Sequence, residues 1–198
     1  MRAVLALSLL MLALSPAALA QSPLFAGMAP VYEGGVGYSY MGTSIPSSSG
    51  SSLGMNGILL SGNADFSRNF GLKLEAGYSR AFDAFNTGHS ADMLTYMGGP
   101  VFYPLRHRRL AVFAQALFGG ARETGVNVDK NGTLLLGFVN RFAWSGGLGF
   151  QYRLTPALSV RAQAEYLRTT FFNSNVELQG QNNIRTSLSL VYTFGSRE

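Results

Sequence analysis

The C-terminal segment from Asn183 to Phe194 alternates between two kinds of side chain. One set is mostly apolar and ends in Tyr192 and Phe194, whereas the intervening set is mostly polar and includes Arg185. A period of two is the pattern of a β-strand whose two faces meet different surroundings. We therefore expect the chain to end in a strand with one apolar face and one polar face.

The first twenty residues have the composition of a secretory signal peptide. A single basic residue precedes the apolar run Ala3–Leu14, and Ala18-Leu19-Ala20 supplies a small-residue cleavage site. The alternative, an anchoring helix, would need about 20 apolar residues. We predict a signal peptide over residues 1–20 and one domain over residues 21–198.

Composition restricts the function classes open to this domain. Charged residues are 13% of the chain, against about 25% in a typical soluble domain. The chain has 24 glycines and no cysteine, so it has no disulfide framework, no thiolate chemistry and no lipidated cysteine. Its formal charge is +5, but its arginines cluster only at Arg106-His107-Arg108-Arg109. We expect no nucleic-acid binding, because a secreted chain meets lipid phosphates first.

Seven further segments upstream are predicted strands, which gives eight in all, and six of the seven show a similar alternation. In the remaining one, Asp92–Tyr103, Met97-Gly98-Gly99-Pro100 obscures the two faces, which stay unassigned. The eight predicted strands, with the C-terminal one included, are Val31–Met41, about 57–66, Phe70 to about Arg80, Asp92–Tyr103, Leu110–Ala121, about 142–152, Ala157–Thr169 and Asn183–Phe194. Each is close to the roughly 9 to 11 residues with which a tilted strand crosses a membrane, and their number is even. An open edge in hydrocarbon would leave backbone groups unpaired, so the last strand must pair with the first. The sequence therefore predicts an all-β fold, an eight-stranded antiparallel up-and-down transmembrane barrel.

The connections alternate between long and short, which is typical of bacterial outer-membrane barrels. The long ones are Thr43–Ser52, Phe82–Ser90, Arg122–Gly137 and Phe172–Asn182. They are predicted to be extracellular, with both termini in the periplasm. In this topology aromatic residues form two interfacial belts. The periplasmic belt is Tyr32, Phe66, Phe70, Tyr103, Phe150, Tyr152, Tyr192 and Phe194, and the outer belt is Tyr38, Tyr40, Tyr78, Trp144 and Tyr166.

Glycine and aromatic motifs add a family resemblance. They are Met97-Gly98-Gly99-Pro100, residues 116–121, Gly146-Gly147-Leu148-Gly149 before Tyr152-Arg153-Leu154, Arg161 with Glu165-Tyr166, and Gln181-Asn182-Asn183. With these motifs the mature chain resembles the small outer-membrane β-barrel proteins grouped as the porin or OmpA-like barrel family. The resemblance implies a bacterial outer-membrane location and contact with outer-membrane lipid and lipopolysaccharide. It also implies assembly by the barrel insertion machinery, with Tyr192 and Phe194 as the assembly-signal aromatics, although Ser189 stands where a glycine is usual.

The polar strand faces should line an interior that eight strands leave only wide enough for side chains. Seven charged residues there are expected to form a lumenal charge network: Glu33, Asp65, Lys73, Glu75, Arg161, Glu165 and Arg185. Glu165 should neighbour Arg185, and Asp65 should approach Lys73 diagonally. Glu75 and Arg161 should lie at similar heights across the barrel. Inward glycines such as Gly77 and Gly149 should leave room for some water, and in the alternative interpretation lumenal water simply solvates the charges.

Two other classes of protein also form eight-stranded barrels. A lipid A-modifying enzyme needs a histidine, a serine and a carboxylate at the outer rim, and His89, Ser90 and Asp92 form such a trio. Adjacent strand residues point to opposite faces, however, which argues against a shared catalytic site for this trio. The other histidine, His107, is predicted to lie in a periplasmic turn, on the wrong side of the membrane for lipid A. A soluble lipocalin-like binder would turn its apolar faces inward and expose mostly Gly, Ser, Thr and Gln.

The interpretation that follows is a structural or surface-interaction barrel, with a narrow pore for small solutes as the alternative. The chain has no metal-ligand spacing and no phosphate-binding loop. We therefore expect no metal, no cofactor and no enzymatic activity. The sequence assigns no extracellular ligand.

Overall fold

Backbone pairing joins the alternating segments into one sheet that closes on itself. In the computed structural model the strands are β1 Val31–Ser44, β2 Ser52–Asp65, β3 Phe70–Ala81, β4 Ala91–Arg106, β5 Leu110–Val128, β6 Leu134–Arg153, β7 Leu158–Phe172 and β8 Leu178–Phe194. Each pairs antiparallel with its neighbours in the chain, and β8 pairs with β1. The fold predicted from the sequence is therefore confirmed. The described residues are 30–44, 52–82, 90–128, 134–172 and 178–194, and none of these ranges contains a helix long and apolar enough to cross a membrane.

The strands extend farther toward the long connections than the sequence pattern predicts. β5 continues to Val128 and β6 begins at Leu134, so most of the predicted Arg122–Gly137 connection is strand. β8 begins at Leu178, within the predicted connection Phe172–Asn182. β6 has 20 residues, whereas a tilted strand crosses a membrane with roughly 9 to 11. The β5–β6 hairpin is therefore long enough to extend well beyond a bilayer.

The polarity of the barrel is the inverse of that of a water-soluble protein. Large apolar side chains face outward, such as Leu148 and Ile184, which are 67% and 64% exposed. Lys73 and Arg185 lie inside, each only 1% exposed. Because hydrocarbon favours apolar side chains on the outer face, this arrangement suits a membrane. It is the opposite of the lipocalin-like alternative.

Exposed aromatic side chains lie near both ends of the strands, as an interfacial belt requires. At the short turns they include Phe70, Phe150, Tyr152, Tyr192 and Phe194, and at the other end they include Tyr38, Tyr40, Tyr78, Trp144 and Tyr166. The prediction that Phe66 and Tyr103 belong to the belt is wrong, because their side chains are only 7% and 0% exposed. Phe66 follows the last residue of β2 and its N–H donates to the Phe70 carbonyl in the turn. Tyr103 faces the interior.

A β-bulge near the end of β4 determines which of its side chains point inward. Phe102 pairs with Ala114 and Leu105 pairs with Val112, so β4 has one residue more than β5 between these pairs. Pro104 lies within this irregularity, which tolerates a residue that has no N–H. The extra residue reverses the alternation beyond Tyr103. As a result Tyr103 and Arg106, three positions apart, both face inward.

Candidate functional site: the interior charge network

Three strands supply the ion pairs at the centre of the interior. Arg185 on β8 donates from Nε to Glu165 Oε1 on β7 at 2.5 Å, and it also pairs with Glu75 on β3. Lys73 Nζ lies 2.7 Å from Glu75 Oε2. Glu165 and Arg185 are opposite each other in the β7–β8 register, which is the adjacency expected from the sequence. Two cations and two carboxylates therefore balance one another where side chains are almost fully buried.

Glutamine side chains complete the hydrogen bonding of these ions. Lys73 Nζ donates to the Oε1 atoms of Gln115 and Gln163, at 2.8 Å in both cases. Gln163 Nε2 donates to Glu75 at 3.0 Å, and Gln115 Nε2 donates to Glu165 at 3.2 Å. Buried charges are tolerated when they are both paired and hydrogen-bonded. Gln115 and Gln163 therefore belong to the network, for which the sequence analysis named only charged residues.

A second cluster lies nearer the short turns. Arg161 Nη2 lies 2.6 Å from Glu33 Oε2 and donates to Gln151 Oε1 at 2.7 Å. Arg161 Nη1 donates to Asn63 Oδ1 at 3.3 Å, and Asn63 Nδ2 donates to the Tyr103 hydroxyl at 3.1 Å. One guanidinium group on β7 thus connects to β1, β2 and β6.

Asp65 has a different partner from the one expected. Arg106 Nη2 lies 2.7 Å from Asp65 Oδ2, and the guanidinium carbon lies 3.7 Å from the Tyr103 ring centroid. Lys73 is opposite Asn63 in the β2–β3 register and pairs with a carboxylate on its own strand. The register thus places Asp65 diagonal to Lys73, as expected, but the two residues form their ion pairs with Arg106 and Glu75. Arg106 was missed because the sequence places it in a basic turn, and only the β4 bulge directs it inward.

Phe113 separates the two clusters. Its ring centroid lies 5.8 Å from Lys73 Nζ and 5.4 Å from the guanidinium carbon of Arg161. A cation within about 6 Å of an aromatic centroid is attracted to the ring. The Phe113 ring therefore contacts two cations of the interior, one from each cluster. The alternation of β5, which puts Phe113 on the same face as Gln115, is the signal that could have identified it.

Inward glycines make room for neighbouring side chains. A Cβ added at Gly77 would lie 2.5 Å from Arg185 Nη1 and 2.8 Å from Thr95 Oγ1. Arg185 Nη1 donates to that same Thr95 oxygen at 2.9 Å. A Cβ at Gly149 would collide with the Phe113 ring. The expectation that glycine leaves space for water is wrong at these two positions, because an arginine and a phenylalanine occupy it.

The interior toward the long connections contains a cluster of apolar side chains, which the sequence pattern did not predict, beside buried polar side chains such as Thr43, Thr169 and Asn183. The buried side chains of the cluster are Met41, Met55, Ala81, Ala91, Met93, Met97, Leu117, Ala121, Ala143 and Leu167, and we call this set the apolar layer. Methionine is flexible and fills irregular spaces. β4 supplies three of these residues, and its faces could not be assigned from its sequence. The charged side chains are thus in the centre and toward the short turns, whereas the larger apolar cluster lies toward the other end.

Two of the three residues weighed for catalysis interact with an arginine. Arg80 Nη2 donates to Ser90 Oγ at 2.9 Å, and Arg80 Nε lies 3.4 Å from Asp92 Oδ1. His89 lies outside the described residues, and His107 is exposed in the β4–β5 turn. Within the described ranges, no group of three or more His, Cys, Asp or Glu side chains is arranged to hold a metal ion. Ser90 and Asp92 therefore help to join β3 to β4 at the rim.

Tyr192 and Phe194 lie on the outer surface where β8 meets β1. Their ring centroids are 5.0 Å apart in an edge-on arrangement. Tyr192 is opposite Gly34 in the register, and a Cβ at Gly34 would lie 3.2 Å from the Phe194 ring. The two aromatic side chains therefore cover the seam that closes the barrel.

Several solved structures share this fold. Neisserial surface protein A aligns with a TM-score of 0.64 and 13% identity, over 82% of this chain and 97% of that chain. Ail of Yersinia pestis, solved in complex with the heparin analogue sucrose octasulfate, aligns with a TM-score of 0.58 and 16% identity, over 84% and 100%. OprG from Pseudomonas aeruginosa aligns with a TM-score of 0.53 and 12% identity, over 87% and 99%. Identities this low establish similarity of fold alone.

Sequence comparison identifies the family. A search of curated protein sequences finds no significant match to the chain. Residues 4–194, however, match the profile of the outer membrane protein beta-barrel domain. The closed eight-stranded ring, the apolar outer face and the polar interior agree with that assignment. The chain is an integral barrel of the bacterial outer membrane and belongs to the outer membrane protein beta-barrel domain family.

Proposed function

We propose that this protein acts through its outer surface and extracellular connections, as a structural or surface-interaction barrel with a closed interior and no enzymatic activity. The proposal rests on one observation, that two barriers to a solute lie one after the other along the interior. A solute must pass the ion pairs that Arg185 makes with Glu75 and Glu165, and also the apolar layer. Side chains fill the interior of an eight-stranded barrel, so the surface is the part left to interact.

In this proposal residues 1–20 are removed as a signal peptide, and residues 21–198 form the mature barrel. The short turns and both termini face the periplasm, and the long connections face the outside. The length of the β5–β6 hairpin supports this orientation, because outer-membrane barrels have long extracellular loops and short periplasmic turns.

Lipopolysaccharide is the outer-leaflet partner that we propose. Arg168 is exposed and is opposite Trp144 in the β6–β7 register, and the rings of Trp144 and Tyr166 are 5.7 Å apart. A guanidinium group beside an interfacial aromatic pair can bind a phosphate while the rings contact acyl chains. Insertion by the barrel machinery through Tyr192 and Phe194 belongs to the same proposal.

A narrow pore is the second candidate, and one feature favours it. A cleft at the short-turn end is lined by Arg106, Arg109 and Arg153 and reaches the buried side chains of Gln151 and Ser159. The interior is thus approachable from one end as far as the second cluster. A pore would require the central ion pairs and the apolar layer to open as well.

Conductance of the protein reconstituted in a planar bilayer distinguishes the two candidates. We expect little conductance from the unmodified barrel. Glu165→Ala alone and Leu117→Asp alone should each change it slightly, because each substitution disturbs one of two barriers in series. The double variant should raise conductance well above the sum of the single changes.

The matched control is Leu148→Ala, which removes apolar volume from the lipid-facing surface and should leave conductance unchanged. Each variant is first shown to be folded by its heat-dependent mobility on a gel. A large and steady conductance from the unmodified protein would contradict the closed barrel and support the pore.

A further inference from the structure

Four arginines surround the short-turn end of the barrel, and we call them the cationic rim. They are Arg68 in the β2–β3 turn, Arg108 and Arg109 in the β4–β5 turn, and Arg153 at the end of β6. Arg68, Arg108 and Arg109 are exposed, and Arg153 is half-buried. Four positive charges are thus carried on three successive short connections at this end of the barrel.

Hydrogen bonds to backbone carbonyl groups hold these connections together. Arg68 Nη2 donates to the Arg106 carbonyl at 3.2 Å, and Arg106 Nη1 donates to the Arg68 carbonyl at 3.1 Å. The Arg153 N–H donates to the Arg109 carbonyl at 2.8 Å. The β2–β3 turn, the β4–β5 turn and the end of β6 are therefore fixed relative to one another. The backbone that carries the four arginines is therefore preorganised, which lowers part of the entropic cost of binding an anion.

The carboxylates near this end are already engaged. Asp65 pairs with Arg106 and Glu33 pairs with Arg161, at 2.7 Å and 2.6 Å. None of the ion pairs found in the described ranges involves a member of the cationic rim. Like charges collected without a protein counter-ion attract an external anion.

A lipophilic surface lies directly beside the rim. Leu110 and Tyr152 are opposite each other in the β5–β6 register and are 36% and 42% exposed, and Leu154 in the next turn is 54% exposed. These side chains belong to the outer face, which contacts lipid. A free inorganic anion would use only the arginines, whereas an amphiphile would use both surfaces.

We propose that the cationic rim binds the phosphate headgroup of an anionic glycerophospholipid, with its acyl chains on Leu110, Tyr152 and Leu154. Charge complementarity selects the headgroup, because arginine forms charge-assisted hydrogen bonds with phosphate oxygens. Continuity with the lipid-facing surface selects a membrane lipid as its source. In the proposed orientation this lipid is in the inner leaflet, so the site is separate from the lipopolysaccharide contact at Arg168.

The test uses the full mature barrel extracted from vesicles that contain equal amounts of phosphatidylglycerol and phosphatidylethanolamine. Native mass spectrometry then measures which lipid stays bound. We expect retention of phosphatidylglycerol over phosphatidylethanolamine. The double variant Arg108→Gln/Arg109→Gln should weaken retention by about fivefold for each arginine removed. Arg122→Gln removes an exposed arginine near the opposite end of the barrel and is the matched control, which should keep full retention.

Two further measurements test whether the bound phosphate belongs to a lipid or is free inorganic phosphate. Tyr152→Ser should reduce phosphatidylglycerol retention because it removes acyl-chain contact, and millimolar inorganic phosphate should not displace the lipid. Equal retention of the two phospholipids, no effect of the double variant, displacement by inorganic phosphate, or a preference of the rim for purified lipopolysaccharide would each overturn the proposal. Because Arg108 and Arg109 are exposed, the double variant should fold, and its heat-dependent gel mobility checks that it does.

Discussion

Arg161 and Glu33 form an ion pair of 2.6 Å although their strands, β7 and β1, are not paired with each other. β8 lies between them, so the contact spans the interior and is independent of the backbone ladder. Such a contact fixes the relative position of strands that hydrogen bonding alone does not connect.

The first prediction concerns this pair. Arg161→Met should lower the free energy of unfolding by roughly 3 to 5 kcal/mol, because it leaves the buried Glu33 carboxylate without its cation. Urea titration in detergent micelles, followed by tryptophan fluorescence, measures the change. The double variant Glu33→Gln/Arg161→Met removes both charges and should recover most of the loss. A single variant as stable as the parent would mean that water already solvates the site.

The second prediction concerns the space beside Arg185. Gly77→Ala should destabilise the barrel by roughly 1 to 3 kcal/mol, because the new methyl group overlaps the guanidinium group and Thr95. Gly62→Ala is the matched control, since nothing lies within 4 Å of a Cβ added there. The heat needed to unfold each variant on a gel gives the comparison. Equal loss in both variants would point to strand flexibility and not to the interior.

The third prediction tests orientation with trypsin on intact cells. Among the residues between strands at the long connections, 45–51, 83–89, 129–133 and 173–177, Lys130 is the only lysine or arginine. Trypsin should therefore cut at Lys130, and Lys130→Gln should make the protein resistant. Cleavage at Arg108 or Arg109 on intact cells would instead mean that the barrel is inverted.

The fourth prediction separates assembly from stability at the seam. Phe194→Ala should lower the amount of folded barrel in the outer membrane of cells, if the insertion machinery reads this residue. Refolding of the purified variant in detergent should be nearly normal, because the ring is 56% exposed. Phe150→Ala has a similar exposure of 52% and should be normal in both assays. A loss of refolding as large as the loss in cells would assign Phe194 a packing role only.

Alternation and loop length were sufficient to predict the number of strands, their pairing and the inward direction of all seven charged residues. These properties depend on a period of two, which a single sequence displays. The partner of Asp65 depends on a bulge in another strand, and a bulge changes the period without leaving a clear mark in the sequence. Tyr103 was missed for another reason, because Met97-Gly98-Gly99-Pro100 obscures the alternation of β4 in the sequence. The apolar layer was missed because its methionines and alanines come from six separate strands, and most of these strands contribute only one.

The position of Arg185 has a consequence for the order of folding. Its strand is the last to be synthesised, and it brings the guanidinium group that pairs with Glu165 on β7 and with Glu75 on β3. A sheet of seven strands would hold the Glu165 carboxylate without that cation and would also have two open edges. Both penalties disappear in one step when β8 docks between β7 and β1. The barrel should therefore form in a single cooperative transition, and partly closed intermediates should be scarce.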